Sequence, residues 1–291
     1  MTITIAEAIL QGTHKLRKAG VPEARRESGT LLAHVTGRDR SFIISHADDP
    51  ITQEEMERFV SFVDGRAKGT PLQYLNGHQE FFGLDFKVNS DVLIPRPETE
   101  LLVESALKLV ADKQGTHLVC DVGTGSGCVA ITLLHKLTNA RGVALDISSA
   151  AIEVAKRNAA THGVSDRLEF LVSDCFQTLD YRGPEFDLIV SNPPYIPARD
   201  IEHLQREVRD YEPHLALEAG PDGLAIIRRL LIEAGRFLKT GGHFLFEIGF
   251  GQSESVEKLF APMVESGDWT LIDIYPDLQG IPRTVALKKT M

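Results

Sequence analysis

Cysteine is scarce: Cys120, Cys128 and Cys175 are the whole complement, an odd number with no C-x-x-C spacing. A disulfide framework or a zinc site has no basis in them, and a reducing cytosol is the compartment that fits. Long apolar runs are missing too, and none approaches the length needed to cross a bilayer. The opening MTITIAEAILQGTHKLRKAG reads as an amphipathic helix without the basic start, apolar core and small-residue cleavage site of a secretory signal. Positive charge is in deficit, with a formal net charge of -10. That balance argues against a protein that holds nucleic acid mainly through its phosphates. Compositional bias is absent as well: 43% hydrophobic and 25% charged residues belong to an ordinary globular chain. The expectation is a cytoplasmic protein with no membrane contact. Its 291 residues are about twice the usual domain length. Through Glu80 the chain carries 10 Lys+Arg against 11 Asp+Glu, so nearly all the excess acidity lies in the second part.

The first 75 or so residues carry helical signals alone. Ile5, Ile9, Leu10, Leu16 and Ala19 recur at helix spacing before Gly20. Pro22 and Glu23 open a second helix that runs to Gly37. Thr52 and Glu55 form a capping-box pair at the head of a third. From Gln79 the period changes to alternation. Phe82, Leu84, Phe86 and Val88, a turn at Asn89-Ser90-Asp91 and then Val92-Leu93-Ile94 predict a hairpin joining two domains. A helix is expected from Glu98 to Ala111. Beyond Thr116 strands and helices alternate: strands at 117–122, 141–146, 168–173, 186–191 and 243–248, helices at 127–137, 149–162 and 223–238. Two final strands at 269–275 and 284–287 stand too close for a helical crossover. The pattern predicts a doubly wound α/β domain with an antiparallel edge.

Three places on that domain carry chemistry. Asp121-Val122-Gly123-Thr124-Gly125-Ser126-Gly127 lies where a buried strand turns into a helix, the usual ligand position in such sheets. Glycines there admit a ligand to the backbone, and the helix start offers free N–H groups. A dinucleotide fingerprint wants glycine at position 128, which is Cys128, so the spacing favours a different nucleoside cofactor. Asp146 ends the next strand, where a carboxylate can accept from both hydroxyls of an adenosine ribose. Asp174 falls on the same edge, within reach of an adenine amino group. Asn192-Pro193-Pro194-Tyr195 directly follows the strand Phe186–Ser191. The two prolines fix the backbone and remove two N–H groups. The Asn192 side-chain oxygen and the Pro193 carbonyl can then accept both hydrogens of a planar –NH2 group, with the Tyr195 ring stacked on its plane. Such a site uses no metal and suits a nitrogen that attacks first and loses its proton afterwards.

DVGTGSG, the acid of ALD at 144–146 and SNPPY at 191–195 look like an S-adenosylmethionine-dependent methyltransferase acting on a planar nitrogen. With GTPLQYLNGHQEFFGLDFKVNSDVLIPRPETE, EAGPDGL, FEIGFGQ and a late DLQGIPR, the chain resembles the HemK/PrmC family of release factor glutamine N5-methyltransferases over nearly its whole length. The resemblance implies a class I, Rossmann-like methyltransferase domain at 97–291 with a seven-stranded sheet and an antiparallel edge. It implies a helical substrate-recognition domain at 1–75 and a hairpin linker at 76–96. Gly123, Thr124, Gly125, Ser126 and Gly127 would cradle S-adenosyl-L-methionine, Asp146 would hold its ribose, and Asp174 and Cys175 would lie by the adenine. That family often has an aromatic ring at the position of Cys175, and Phe176 is the substitute at hand. Asn192 to Tyr195 would bind the substrate amide, with Asn192 also touching the cofactor. The implied reaction methylates the glutamine of the Gly-Gly-Gln motif in class-1 release factors, releasing S-adenosyl-L-homocysteine, and the chain is expected to act as a monomer without stable nucleic-acid binding. The rival reading is a nucleic-acid base amino-methyltransferase acting on adenine N6 or guanine N2, which would need a flipped base and a basic track. Arg199, Arg206 and Arg209 stand among a larger number of acids and do not supply one.

Overall fold

The computed structural model describes residues 3–110, 112–180 and 185–291, so the expected helix end at Ala111 lies outside the described residues. The chain divides into two compact units, one of Met1–His78 with Gln205–Tyr211, the other of Gln79–Leu204 with Glu212–Met291.

In the first unit the helices Ile5–Lys18 and Gln53–Ala67 both start at a threonine whose hydroxyl accepts from the backbone N–H three residues on. The reciprocal bonds run from Thr4 N to Glu7 at 2.9 Å and from Thr52 N to Glu55 at 2.7 Å. Each box satisfies two N–H groups that a helix end would otherwise leave bare. The helix Ala24–Thr36 ends on Gly37 in the left-handed region. Two short helices, Arg40–Ser45 and Leu72–Asn76, escape a periodicity reading because they are little more than one turn each. Ile5, Leu16, Leu31, Leu32, Phe59 and Val63 form the core. Buried Arg66 pairs with buried Glu27 and, at 2.6 Å, with Glu207 of the short helix Arg206–Tyr211. A stretch that follows Asn192–Tyr195 in sequence is thus held by an arginine of the helical unit.

At the head of the second unit, which starts at Gln79, is a hairpin of β1 (His78–Phe81) and β2 (Leu84–Lys87). Its turn is Phe82-Gly83, both at positive φ, and not the expected Asn89-Ser90-Asp91. A two-residue turn of this hand matches strand twist. The Phe82 N–H donates to Glu100 at 2.8 Å, which helps hold a conformation unusual for a bulky residue. Asn89 instead closes a local turn by accepting from Asp91 N–H at 3.1 Å, and Val92–Ile94 lies outside the strands. Alternation at Phe82–Val88 marked a real strand, but its partner precedes it.

The main sheet contains β3 (Leu118–Val122), β4 (Arg141–Asp146), β5 (Leu168–Val172), β6 (Phe186–Ser191), β7 (Leu238–Glu247), β8 (Trp269–Pro276) and β9 (Pro282–Lys289). Its order is β5-β4-β3-β6-β7-β9-β8. β3 to β7 are parallel, whereas β9 runs antiparallel to both β7 and β8. This is the class I methyltransferase arrangement, a seven-stranded sheet with an antiparallel edge. The helix expected at 223–238 spans Ala225–Ala234, and Gly241-Gly242 lie within β7, where the register against β6 shifts. Apolar residues fill both faces of the sheet, Ile189, Phe244 and Phe246 on one and Leu188, Val190 and Leu245 on the other. The order reverses between β3 and β6, the switch point outside whose carboxyl ends ligands bind in such sheets.

Candidate active site

The loops after β3 and β6 meet at this switch point. Val122 and Ser191 are paired across the strands, and the Ser191 hydroxyl donates to the Val122 carbonyl at 2.6 Å. Between them opens a cavity of about 260 Å³, lined by Gly123 to Ser126, Asp146, Asp174, Cys175 and Asn192 to Pro194, among others.

The glycines divide into two roles. Gly123, Gly125 and Gly127 all take positive φ. A Cβ at Gly125 would meet nothing within 4 Å, and one at Gly123 only the Asn192 carbonyl at 3.9 Å. These two leave room on the cavity side. A Cβ at Gly127 would lie 2.7 Å from Ile131 Cδ1 and 3.2 Å from Ala155 Cβ. Gly127 therefore serves packing, at the start of the helix Cys128–Lys136, and is not part of the lining. Buried Asn158 locks the loop from behind: its amide donates to the Ser126 and Lys87 carbonyls and accepts from Lys87 N–H. Asp121 points inward and accepts from the Thr124 hydroxyl at 2.7 Å and Ala130 N–H at 3.2 Å. Burial pushes its carboxyl up to about 7.

Asp146 accepts from Gly125 N–H at 2.8 Å and Ser148 N–H at 2.9 Å. Burial raises its pKa, and these two bonds oppose the rise. Each oxygen keeps a lone pair for a hydroxyl in the cavity. Asp174 is held by Arg229, which donates to its carboxylate at 2.6 Å and its carbonyl at 2.9 Å. Cys175 has positive φ and lines the cavity, its thiol pushed by burial up to about 11. Phe176 does not offer the adenine ring contact expected of it. It is buried and stacks on Phe237 with centroids 5.0 Å apart, so its face is already used in the core. Exposed Ile147 and half-buried Ile226 supply apolar surface to the cavity instead.

Asn192, Pro193 and Pro194 line the same cavity as the glycine loop, while Tyr195 lines a neighbouring one with Pro197, Phe250 and Gln252. The Tyr195 hydroxyl donates at 3.1 Å to buried Glu247, at the end of β7. Glu247 also accepts from the Thr99 hydroxyl at 2.7 Å, and Thr99 Oγ1 accepts from Asn192 Nδ2 at 2.9 Å. Both polar ends of the tetrapeptide are therefore tied to one carboxylate. Glu212, itself buried, accepts from Ile94 N–H at 3.3 Å and pairs with Arg96. That places the cavity-lining stretches Asp91–Pro95 and Pro213–Glu218 on common anchors.

A model of the PrmC N-terminal domain matches residues 7–77, and a methyltransferase-domain model matches residues 113–277. A curated release factor glutamine methyltransferase of Koribacter versatilis is 39% identical over 287 residues, covering 99% of either chain. Another, of Cereibacter sphaeroides, is 41% identical and covers 97% of this chain and 98% of its own. The chain belongs to the release factor glutamine methyltransferase family. Likeness in fold reaches further, to a methyltransferase of Pyrococcus furiosus with a TM-score of 0.50 at 19% identity, over 72% of this chain and 91% of that one.

Within the family frame, the sequence motifs locate the cavity but miss the groups behind it. Thr99 and Glu247 lie in the segments PRPETE and FEIGFGQ, yet neither segment says that they meet across the fold. Arg229 and Asn158 carry no local signal, because an isolated polar residue on a helix reads as surface. Among the described residues no helix is long and apolar enough to cross a membrane, and no group of three or more His, Cys, Asp or Glu is placed to hold a metal ion.

Proposed function

We propose that the chain transfers a methyl group from S-adenosyl-L-methionine to the N5 nitrogen of the glutamine in the Gly-Gly-Gln motif of class-1 release factors. The observation that carries this reading is the shared cavity, which brings Asn192 and Pro193 together with the glycine loop and Asp146. The residues present fit the cofactor: an open cradle at Gly123 and Gly125, a carboxylate at Asp146 for the ribose, and apolar Ile147 and Ile226 beside Cys175 for the base. When bound, it supplies an electrophilic methyl group on a sulfonium. Asp174, held by Arg229 and lining the same cavity, would lie by the adenine.

The amide nitrogen of a glutamine is a poor nucleophile, since its lone pair is delocalised into the carbonyl. Positioning and exclusion of water must supply much of the acceleration. Asn192 Oδ1 and the Pro193 carbonyl accept its two N–H groups and aim the nitrogen. Both acceptors gain strength as positive charge grows on that nitrogen, so they favour the transition state over the ground state. The Pro-Pro backbone holds the Pro193 carbonyl without conformational search.

A glutamine on a loop has little surface of its own, so selection among glutamines needs contacts elsewhere on the substrate protein. The helical unit is the module assigned to that task. The rival nucleic-acid reading draws no support from the Koribacter versatilis and Cereibacter sphaeroides relatives, both release factor glutamine methyltransferases. Mass spectrometry of the tryptic peptides of a release factor, after incubation with the chain and S-adenosylmethionine, tests the reading. One added methyl on the Gly-Gly-Gln glutamine is expected. Methyl groups found in RNA or DNA, with none on the factor, would overturn it.

A further inference from the structure

The end of β7, the turn Pro97–Thr99 and the loop after β6 converge on a one-way chain of hydrogen bonds. Thr99 has a single hydroxyl proton, and Glu247 takes it at 2.7 Å. Toward Asn192, 2.9 Å away, Thr99 can then only accept. The Asn192 –NH2 must face Thr99, and its oxygen must face the other way. This decides an amide orientation that heavy-atom positions alone leave open. Asn192 lines the cavity, and among the described residues none donates to its Oδ1. The second Glu247 oxygen accepts from Tyr195, so neither oxygen is left to reorient.

We propose that Glu247 is a positioning residue which, through Thr99, keeps the Asn192 amide oxygen turned to the substrate and so selects a nitrogen that donates two hydrogens. The proposal rests on the reading of Asn192 as the substrate acceptor and adds what fixes its polarity. A carboxylate or carbonyl oxygen presented at the same point would meet lone pair against lone pair, which discriminates glutamine from glutamate by repulsion as well as by attraction.

The chain of bonds reverses if Glu247 carries a proton. A carboxylic acid can donate to Thr99 Oγ1, which frees the threonine proton for Asn192 and lets the amide turn its –NH2 into the cavity. Burial pushes the Glu247 carboxyl up to about 7, opposed by the Thr99 and Tyr195 bonds and by Arg283 on β9, and reinforced by Glu98. Cys128, whose thiol feels Glu247, stays protonated and adds no charge. The acceptor arrangement is thus the one present above about pH 7 and lost as pH falls through that value.

The experiment compares Thr99→Val, Thr99→Ser and Glu247→Gln in the full chain, with a release factor as substrate and S-adenosylhomocysteine as binding probe. Thr99→Val keeps shape and removes the relay; its kcat should fall about tenfold or more, with homocysteine-nucleoside affinity changed by no more than about twofold. Thr99→Ser should restore most of the loss. The wild-type rate should rise with pH about a midpoint near 7, and this limb should vanish in Glu247→Gln. Independently of turnover, the Asn192 side-chain amide resonances, assigned through Asn192→Asp, should move with the same midpoint in the wild type and stay fixed in Thr99→Val. A Thr99→Val enzyme with unchanged kcat and pH profile, or Asn192 resonances indifferent to pH in the wild type, would overturn the proposal. A wild-type chain that does not methylate release factor refutes the functional reading instead, and the resonance titration still decides the relay.

Discussion

Replacing Gly125 and Gly127 by alanine separates a glycine that serves a ligand from one that serves packing. Both residues have positive φ, at 55° and 83°. A Cβ in this region costs roughly 1–2 kcal/mol at either site. At Gly125 nothing lies within 4 Å, so that conformational term is the whole effect on the unliganded fold. At Gly127 the new methyl would stand 2.7 Å from Ile131 and 3.2 Å from Ala155, adding roughly 1–3 kcal/mol of overpacking. At about 2–4 °C per kcal/mol for a unit of this size, Gly125→Ala should lower Tm by several degrees at most, and Gly127→Ala by roughly twice that or more. The ligand response should run the other way. S-adenosylhomocysteine at about 100 times its Kd stabilises a binding-competent fold by ~2.7 kcal/mol. Gly127→Ala should keep most of that shift and Gly125→Ala should lose it, because the new methyl occupies the cavity lining. Thermal unfolding of both variants with and without the ligand reads all four values. A full ligand shift in Gly125→Ala, or a Gly127→Ala variant of unchanged Tm that no longer responds, would refute the division.

Two further outcomes follow from the helical unit. Arg66→Met leaves Glu27 buried without its partner and should destabilise the chain by about 3–5 kcal/mol in thermal or urea unfolding; a loss under about 1 kcal/mol would mean that Glu27 finds water or takes a proton instead. A fragment starting at Gln79 should still bind S-adenosylhomocysteine by calorimetry but methylate intact release factor with reduced kcat/KM. Full kcat/KM in that fragment would remove the recognition role, and an insoluble fragment would assign the helices to stability.

Much of this was legible in the residues because local chemistry and tertiary structure agree. Thr52 with Glu55 gave a helix start that the fold keeps, and the apolar runs before Gly123 and Asn192 are the two central strands. The hairpin was misplaced because Asn89-Ser90-Asp91 has turn chemistry and does turn, but locally, whereas Phe82 at positive φ is held by Glu100 from another element. No propensity signals a bond of that kind. The same limit hid the relay behind Asn192: three residues from three distant segments share two protons, and only the sheet order brings them together. Phe176 failed as an adenine contact for the converse reason. An aromatic residue near a site is drawn to whichever apolar partner is nearer, and here that is Phe237. The capture of Gln205–Tyr211 by the helical unit was invisible as well, since Glu207 reads as one more surface acid until Arg66 is placed beside it.

If Asn192 acts on the substrate nitrogen, Asn192→Ala shows it when single-turnover methylation of saturating release factor is measured beside S-adenosylhomocysteine affinity. Loss of a group that strengthens its bond in the transition state should lower the methylation rate by about 10² or more. Cofactor affinity, which the proposed reading assigns to the glycine loop and Asp146, should change by no more than a few fold. A variant that keeps near-normal rates at saturating substrate, or that loses cofactor affinity as steeply as rate, would contradict the account.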